Sequence, residues 1–217
     1  MSQFEETAIL QQQVLEGNAD EAVGALMQKY QDRLERVIGF RMDRRLKARI
    51  DAGDIVQETF FEAIRRLDDF RASADKMTFF LWLRFLALQK LCQMHRHHLG
   101  VAARDANRDV PMHRRGLPQA TSMVLAAQLL GNVTSPSFAA QREERKLQLE
   151  GALSEIDEID REVLALRHFE QLSNSETARL LELSETAASN RYIRALKRLK
   201  SVMQRLDKGA SGIFLGE

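Results

Sequence analysis

All three prolines of this 217-residue chain, Pro111, Pro118 and Pro136, fall between residues 101 and 140, together with Gly116 and Gly131 and just after Gly100. Proline removes a backbone donor and disfavours helix at the residue before it, so Val110-Pro111, Leu117-Pro118 and Ser135-Pro136 make poor helix interiors. On either side a helical period resumes. A structureless loop of this length is unusual inside one compact domain. The chain therefore divides into two small domains, 1–100 and 142–208, joined by a flexible linker over 101–141 and followed by a tail over 209–217. Inside the linker, Met123 to Leu130 is apolar and long enough for one or two helical turns that dock on a neighbour.

Eleven Gly and three Pro are few breakers for the whole chain, and the low aromatic share (6%) beside abundant Leu, Ala, Glu, Arg and Gln favours helix over strand, so the expected fold class is all-α. One cysteine, Cys92, excludes an internal disulfide and points to a reducing compartment. No apolar run is longer than Phe79 to Leu83, which ends at Arg84, and the first residues lack the basic region of a secretory signal. A cytoplasmic protein without membrane insertion is expected.

The formal net charge of +1 hides alternating blocks. Counting Lys and Arg against Asp and Glu, residues 1–35 carry 2 against 7, 36–50 carry 6 against 1, and 51–70 carry 2 against 6. Residues 71–100 carry 5 against 1, 142–182 carry 6 against 11, and 186–208 carry 7 against 1. Blocks of this length belong to distinct faces or elements.

In the first domain Ala22, Leu26, Tyr30, Leu34, Val37 and Ile38 recur as a buried helical stripe. A second helix starts near Asp51 to Asp54, with Val56, Phe60, Ile64 and Leu67 on one face and Asp54, Gln57, Glu58, Phe61, Glu62 and Arg65 near the opposite one. Phe61, an aromatic in an acidic and polar stripe, is either packed against a neighbouring helix or held out for a partner. A third helix runs from about Thr78 to His98, aromatic at its start and basic at its end. It reads either as a core helix with a cationic C-terminus or as a nucleic-acid surface.

The second domain carries sharper punctuation. Asp160 precedes a short helix with Val163, Leu164, Leu166 and Phe169, and Ser173-Asn174-Ser175-Glu176 forms a capping box opening a brief helix to about Leu181. After Glu182 and Leu183, Ser184 caps a longer helix with apolar positions Ile193, Leu196, Leu199, Met203 and Leu206. Short helix, tight turn and long basic helix make a helix-turn-helix, whose second helix enters the major groove. Ser189, Asn190, Arg191, Arg194 and Lys197 lie off or beside the apolar stripe, and Ala178, Ala187 and Ala188 permit close approach. Glu182 stands where such turns commonly hold Gly; keeping the left-handed geometry there costs on the order of 1 kcal/mol.

No other chemistry is spelled out. His95, His97 and His98 lack a second ligand cluster, so no metal is expected, and Cys92 reads as a structural thiol. No phosphate loop, nucleophile elbow or His-Glu-x-x-His occurs, so neither catalytic residues nor a cofactor is expected.

These phrases resemble a known family. Asp160-Arg161-Glu162-Val163-Leu164, Leu172-Ser173, Glu176-Thr177-Ala178 and Arg191-Tyr192-Ile193-Arg194-Ala195 resemble region 4 of sigma70-type factors. Asp54-Ile55-Val56-Gln57-Glu58-Thr59-Phe60 resembles their region 2.2, and Phe80-Leu81-Trp82-Leu83-Arg84 their regions 2.3 to 2.4. With no room for a domain 3, the chain resembles the extracytoplasmic-function (ECF) group. Thr134-Ser135-Pro136-Ser137 and Ala187-Ala188-Ser189-Asn190-Arg191-Tyr192 are most similar to the branch common in planctomycete bacteria. The resemblance spans about residues 10–98 and 142–206.

It implies a sigma factor that binds core RNA polymerase, directs it to promoters and helps melt the minus-ten element. Asp54, Gln57, Glu58, Phe61 and Arg65 would meet the beta-prime clamp helices, with the beta flap a further polymerase contact. Arg71, Ser73, Lys76, Thr78, Phe79, Trp82, Arg84, Lys90 and Arg96 would serve the minus-ten DNA. Ser184, Thr186, Ser189, Asn190, Arg191, Arg194, Lys197 and Arg198 would serve the minus-thirty-five element. An anti-sigma factor is a further candidate partner, and the nucleoid the location when polymerase is bound. The competing readings are a stand-alone helix-turn-helix regulator and an adaptor that sequesters another regulator without touching DNA.

Overall fold

The computed structural model describes residues 3–16, 19–99 and 139–212, and between them Ser122, Leu125 and Ala126. Pro111, Pro118, Pro136, Gly116, Gly131 and the Thr134 to Ser137 phrase lie outside the described residues, as do Ile213, Phe214 and Leu215. Every regular element among the described residues is a helix, and the chain forms two compact units, Met1–Pro118 and Gln119–Glu217.

The N-terminal unit is built on three mutually packed helices, α2 (Ala19–Arg41), α4 (Ala52–Arg65) and α6 (Phe79–Leu99), with α1 (Gln3–Glu16) against α2. Local signals set the ends. Asp51 caps α4 by accepting from the Gly53 amide at 2.8 Å, and Thr78 Oγ1 accepts from the Leu81 amide at 3.3 Å to open α6. Two short helices, α3 (Arg44–Lys47) and α5 (Leu67–Ser73), fill the connections. From Phe79 to Leu88 every residue of α6 is buried, all of them apolar except Arg84, so this stretch threads the core. Phe70 of α5, Phe79 and Trp82 form one aromatic cluster with centroids 5.0 to 5.6 Å apart.

The buried side of α4 is Ile55, Val56, Thr59 and Ala63, not the expected Val56, Phe60, Ile64 and Leu67 stripe. Packing α4 against both α2 and α6 turns Ala63 inward and leaves Ile64 58% exposed and Phe60 and Leu67 half-buried. Small Ala63 and the Thr59 hydroxyl, which donates to the Ile55 carbonyl at 2.7 Å, suit the close approach.

In the C-terminal unit α10 (Glu185–Gly212) is the hub against which α7 (Ala139–Ser154), α8 (Glu158–Leu164) and α9 (Asn174–Leu180) pack. Among its described side chains the buried ones are Ala188, Ala195 and Val202, seven apart, while Leu196, Leu199 and Met203 are half-buried. A seven-residue repeat of small side chains makes a narrow seam along which neighbouring backbones come close. Ile193, expected in the apolar stripe, is 48% exposed because that seam lies on the other side of the helix. The side chain of Leu206 lies outside the described residues.

α8 continues into a π-helical turn, Ala165–Phe169, closed by the Glu170 amide donating to the Ala165 carbonyl at 2.9 Å. Arg161 of α8 reaches back to the end of α7, its Nη1 2.6 Å from the Ile156 carbonyl oxygen and 3.3 Å from that of Leu153. Ser122, Leu125 and Ala126 are helical and buried, and Ser154 Oγ bonds Ser122 Oγ at 3.0 Å, so this part of the apolar linker stretch docks within the C-terminal unit.

Candidate nucleic-acid interface

The helix-turn-helix assembles from short-range bonds. Ser173 Oγ accepts from the Glu176 amide at 3.1 Å while the Glu176 carboxylate accepts from the Ser173 amide at 2.7 Å, which completes the capping box of α9. α9 ends with the Glu182 amide donating to Arg179 O at 3.3 Å and the Leu183 amide to Ala178 O at 2.9 Å, the Schellman pattern. That pattern needs a left-handed residue, and Glu182 supplies it at φ 54° despite its Cβ. Ser184 Oγ then accepts from the Ala187 amide at 3.1 Å to open α10, and Asn174 Nδ2 ties the two helices by donating to the Glu185 carbonyl at 2.9 Å. Ala178 and Ala188 are buried where the helices cross.

On α10, Thr186, Asn190 and Lys197 are exposed and Ser189 is half-buried, so the first turns present short polar groups to solvent. Ser184 is committed to its cap. The arginines are arranged differently. Asp160, fully buried at the third position of α8, faces Arg191, Arg194 and Arg198. Arg194 binds it with two bonds, Nε to Oδ2 and Nη2 to Oδ1, both 2.8 Å. Arg191 Nη1 donates to Oδ1 at 2.8 Å, and Arg198 Nη1 lies 3.6 Å from Oδ2. Burial alone would push the Asp160 carboxyl up, but the bonds from Arg194 and Arg191 outweigh it and hold the group below the usual carboxylate range. The same bond pushes the Arg194 guanidinium up. The three arginines are therefore not free solvated cations: Asp160 gathers them in a row, Asp157 lies 3.8 Å from Arg191 Nη1 as well, and Arg194 and Arg198 are still about half exposed.

In the N-terminal unit the expected polymerase-facing residues share the outer side of α4. Asp54, Gln57, Glu58, Phe61 and Arg65 are all exposed, Phe61 at 64%, and Ile64 adds a second apolar group one turn on. Phe61 is thus held out rather than packed. A groove of about 370 Å³ between α4 and α6 runs beside it, lined by Glu58, Phe61, Glu62, Arg65, Lys90 and Gln93 among others. Lys90 closes onto Glu58 in an ion pair.

The residues expected at minus-ten DNA do not form one surface. Phe79, Trp82 and Arg84 are buried, the first two in the aromatic cluster, so their assignment as DNA contacts is corrected: in this conformation α6 is enclosed by its neighbours at these positions. Arg71 is bound to Asp68 at 2.7 Å and donates to the Val14 carbonyl at 3.1 Å. Ser73 Oγ donates to the Asp69 carbonyl, and Thr78 is occupied as a cap. Arg96 Nε donates to the Cys92 carbonyl at 3.4 Å, and Lys76 is exposed.

His95 is a structural histidine, since its Nε2 accepts from the Asp43 amide at 3.2 Å. Burial pushes its pKa down, Asp43 opposes and Arg45 assists. Burial pushes the Cys92 thiol up. Among the described residues no cluster of three or more His, Cys, Asp or Glu side chains is arranged to hold a metal, and no helix is long and apolar enough to cross a membrane.

Two contributors escaped sequence reasoning. Ile64 was discoverable, because it stands three residues from Phe61 and shares its helical face. Asp160 had no local signal, its partners lying 31 and 34 residues away.

Residues 146–199, which carry this helix-turn-helix, match the family description Sigma-70, region 4. Among relatives, the chain is 28% identical over 158 residues to the RNA polymerase sigma factor NccH of Alcaligenes xylosoxydans xylosoxydans, covering 71% of this chain and 74% of that protein. It is 25% identical over 186 residues to the RNA polymerase sigma-H factor of Pseudomonas aeruginosa, covering 85% and 88%. A solved structure of CnrH in complex with the cytosolic domain of CnrY aligns at a TM-score of 0.49 and 23% identity, over 92% of this chain and 98% of that one. Within the matched segment, the arginine row and the exposed first turns of α10 lie on the second helix of the helix-turn-helix.

Proposed function

We infer that the chain is a sigma factor of the sigma-70 type, related to the ECF group, that directs RNA polymerase to promoters. The observation that carries this reading is a helix-turn-helix with a basic second helix inside a segment matching sigma-70 region 4. It has no catalysis of its own; nucleotide addition belongs to the polymerase. Residues 1–100 act as the region 2 domain, residues 142–208 as the region 4 domain, and 101–141 as the linker. Exposed Phe61 and Ile64 among Asp54, Gln57, Glu58 and Arg65 support docking of α4 on the polymerase clamp. On α10, Ser189, Asn190 and the arginine row contact the minus-thirty-five element, while Lys76 and the basic end of α6 serve the minus-ten side. The phrase Ala187 to Tyr192 supports the branch common in planctomycete bacteria, and a dedicated anti-sigma protein is a further partner in this reading.

Run-off transcription with core polymerase over a promoter library tests it. Stimulation at a defined subset of promoters is expected, and no stimulation anywhere would sink it. Arg194→Ala should weaken promoter binding while sparing polymerase binding, and Phe61→Ala should do the reverse. Equal losses in both assays would refute the division of labour.

A further inference from the structure

The Asp160 cluster does something the helix-turn-helix by itself does not explain. Arg191, Arg194 and Arg198 stand three and four residues apart on one side of α10; the buried Asp160 carboxylate from another helix receives all three, and the exposed Asp157 carboxylate lies 3.8 Å from Arg191 Nη1. Asp160 and the three arginines thus carry a net charge of +2 rather than +3. The bonds are also directional. Arg194 spends Nε and one Nη2 hydrogen on Asp160, which leaves the Nη1 edge of the guanidinium pointing away from α8 with half its side chain in solvent. Arg191 spends one Nη1 donor and keeps its Nε and Nη2 groups. A planar guanidinium fixed along one edge presents the other at a set angle, so less rotamer freedom is lost when that edge meets a base or phosphate.

We propose that Asp160 is the positioning residue of the DNA-reading helix: it holds the arginine row from behind, both in the free protein and on promoter DNA, and thereby converts general attraction for phosphate into discrimination between sequences. This rests on the DNA-binding reading of α10. Phosphate contacts carry affinity without sequence information, whereas aimed donors carry the information. Removing the carboxylate releases the guanidiniums to any phosphate and adds one positive charge.

The test uses the full chain with core polymerase and two labelled duplexes, a transcribed promoter and the same DNA with its minus-thirty-five element scrambled. For Asp160→Asn, discrimination between the two should fall about tenfold, chiefly through tighter binding of the scrambled DNA, and the slope of log K against log salt should steepen by about one. Asp160→Glu keeps the charge and should keep the wild-type slope. Equal weakening on both duplexes with an unchanged slope overturns the proposal and leaves Asp160 a purely structural residue. If the wild-type protein itself fails to discriminate, the DNA-binding reading falls first, and that result is distinct. Should Asp160→Asn not fold, nuclear magnetic resonance of the wild-type chain decides. The Arg194 Nε–H proton should exchange slowly both free and bound to the minus-thirty-five duplex; losing that protection on binding would mean that DNA displaces Asp160, against the proposal.

Discussion

The N-terminal unit separates its core from its candidate interface, and the C-terminal unit does not. In the first, α6 is buried on all sides from Phe79 to Leu88, while the exposed apolar groups Phe61 and Ile64 sit on a different helix. In the second, α10 supplies both the Ala188, Ala195 and Val202 seam and the arginine row. Large aromatic side chains stabilise by area, so a core made of them tolerates an unrelated surface on the next helix. A helix that must pack and also present cations has little room for bulky residues. It packs through small ones and couples its two faces through a buried carboxylate. Changes behind α10 should therefore alter DNA binding, whereas changes behind α4 should alter only stability.

The largest expected effect lies in the aromatic core. Trp82→Ala removes a fully buried ring from the Phe70 and Phe79 cluster and should cost about 3–5 kcal/mol. Thermal unfolding followed by circular dichroism should then show two transitions, the N-terminal unit melting first; a uniform small shift of one transition would break the picture of two independent cores. In the seam the risk is the opposite one. Ala195→Leu has no space at a fully buried position and should cost about 1–3 kcal/mol through overpacking, with promoter binding falling alongside stability. A neutral result would mean that the seam is looser than its burial indicates.

Acid should separate the units in order. His95 is held neutral by its bond from the Asp43 amide, so the folded protein binds that proton less readily than the unfolded chain, whose imidazole titrates near 6.5. Stability from this group is complete above about 6.5 and is lost as pH falls from there through the lower folded value. Asp160 is depressed from 3.8, so its contribution is lost only as pH falls below about 3.8 toward its folded value. A pH series of melting curves should show the N-terminal transition weakening first, and His95→Gln should flatten that early phase. The smallest effect is at the turn. Glu182→Gly relieves the left-handed conformation and should stabilise the C-terminal unit by at most about 1 kcal/mol, measured by urea unfolding. Destabilisation would mean that the Glu182 side chain makes a contribution larger than its backbone strain.

Much of the helix-turn-helix was legible because its signals are short in range. The Ser173 and Glu176 box, the Ser184 cap and the strained position at Glu182 each involve residues no more than five apart, and all three appear as the sequence implies. The stripe from Ala22 to Ile38 was equally plain, since one helix buries one side against the core. The face of α4 was misread because Val56, Phe60, Ile64 and Leu67 form as regular a stripe as Ile55, Val56, Thr59 and Ala63. Periodicity yields the width of a face, and only the positions of α2 and α6 select its direction. The same holds for Phe79, Trp82 and Arg84, whose enclosure depends on helices distant in the chain.

Sequence alone therefore determined the all-helical class, the two-part organisation around the proline-containing stretch, the caps and the helix-turn-helix. These rest on backbone sterics and on bonds between near neighbours, which a chain carries wherever it folds. Tertiary structure alone decided which way α4 faces, that α6 threads a core, and that Asp160 gathers three arginines from α10. Each of those depends on desolvating a side chain against a partner far along the chain, and that partner's position exists only once the helices have packed.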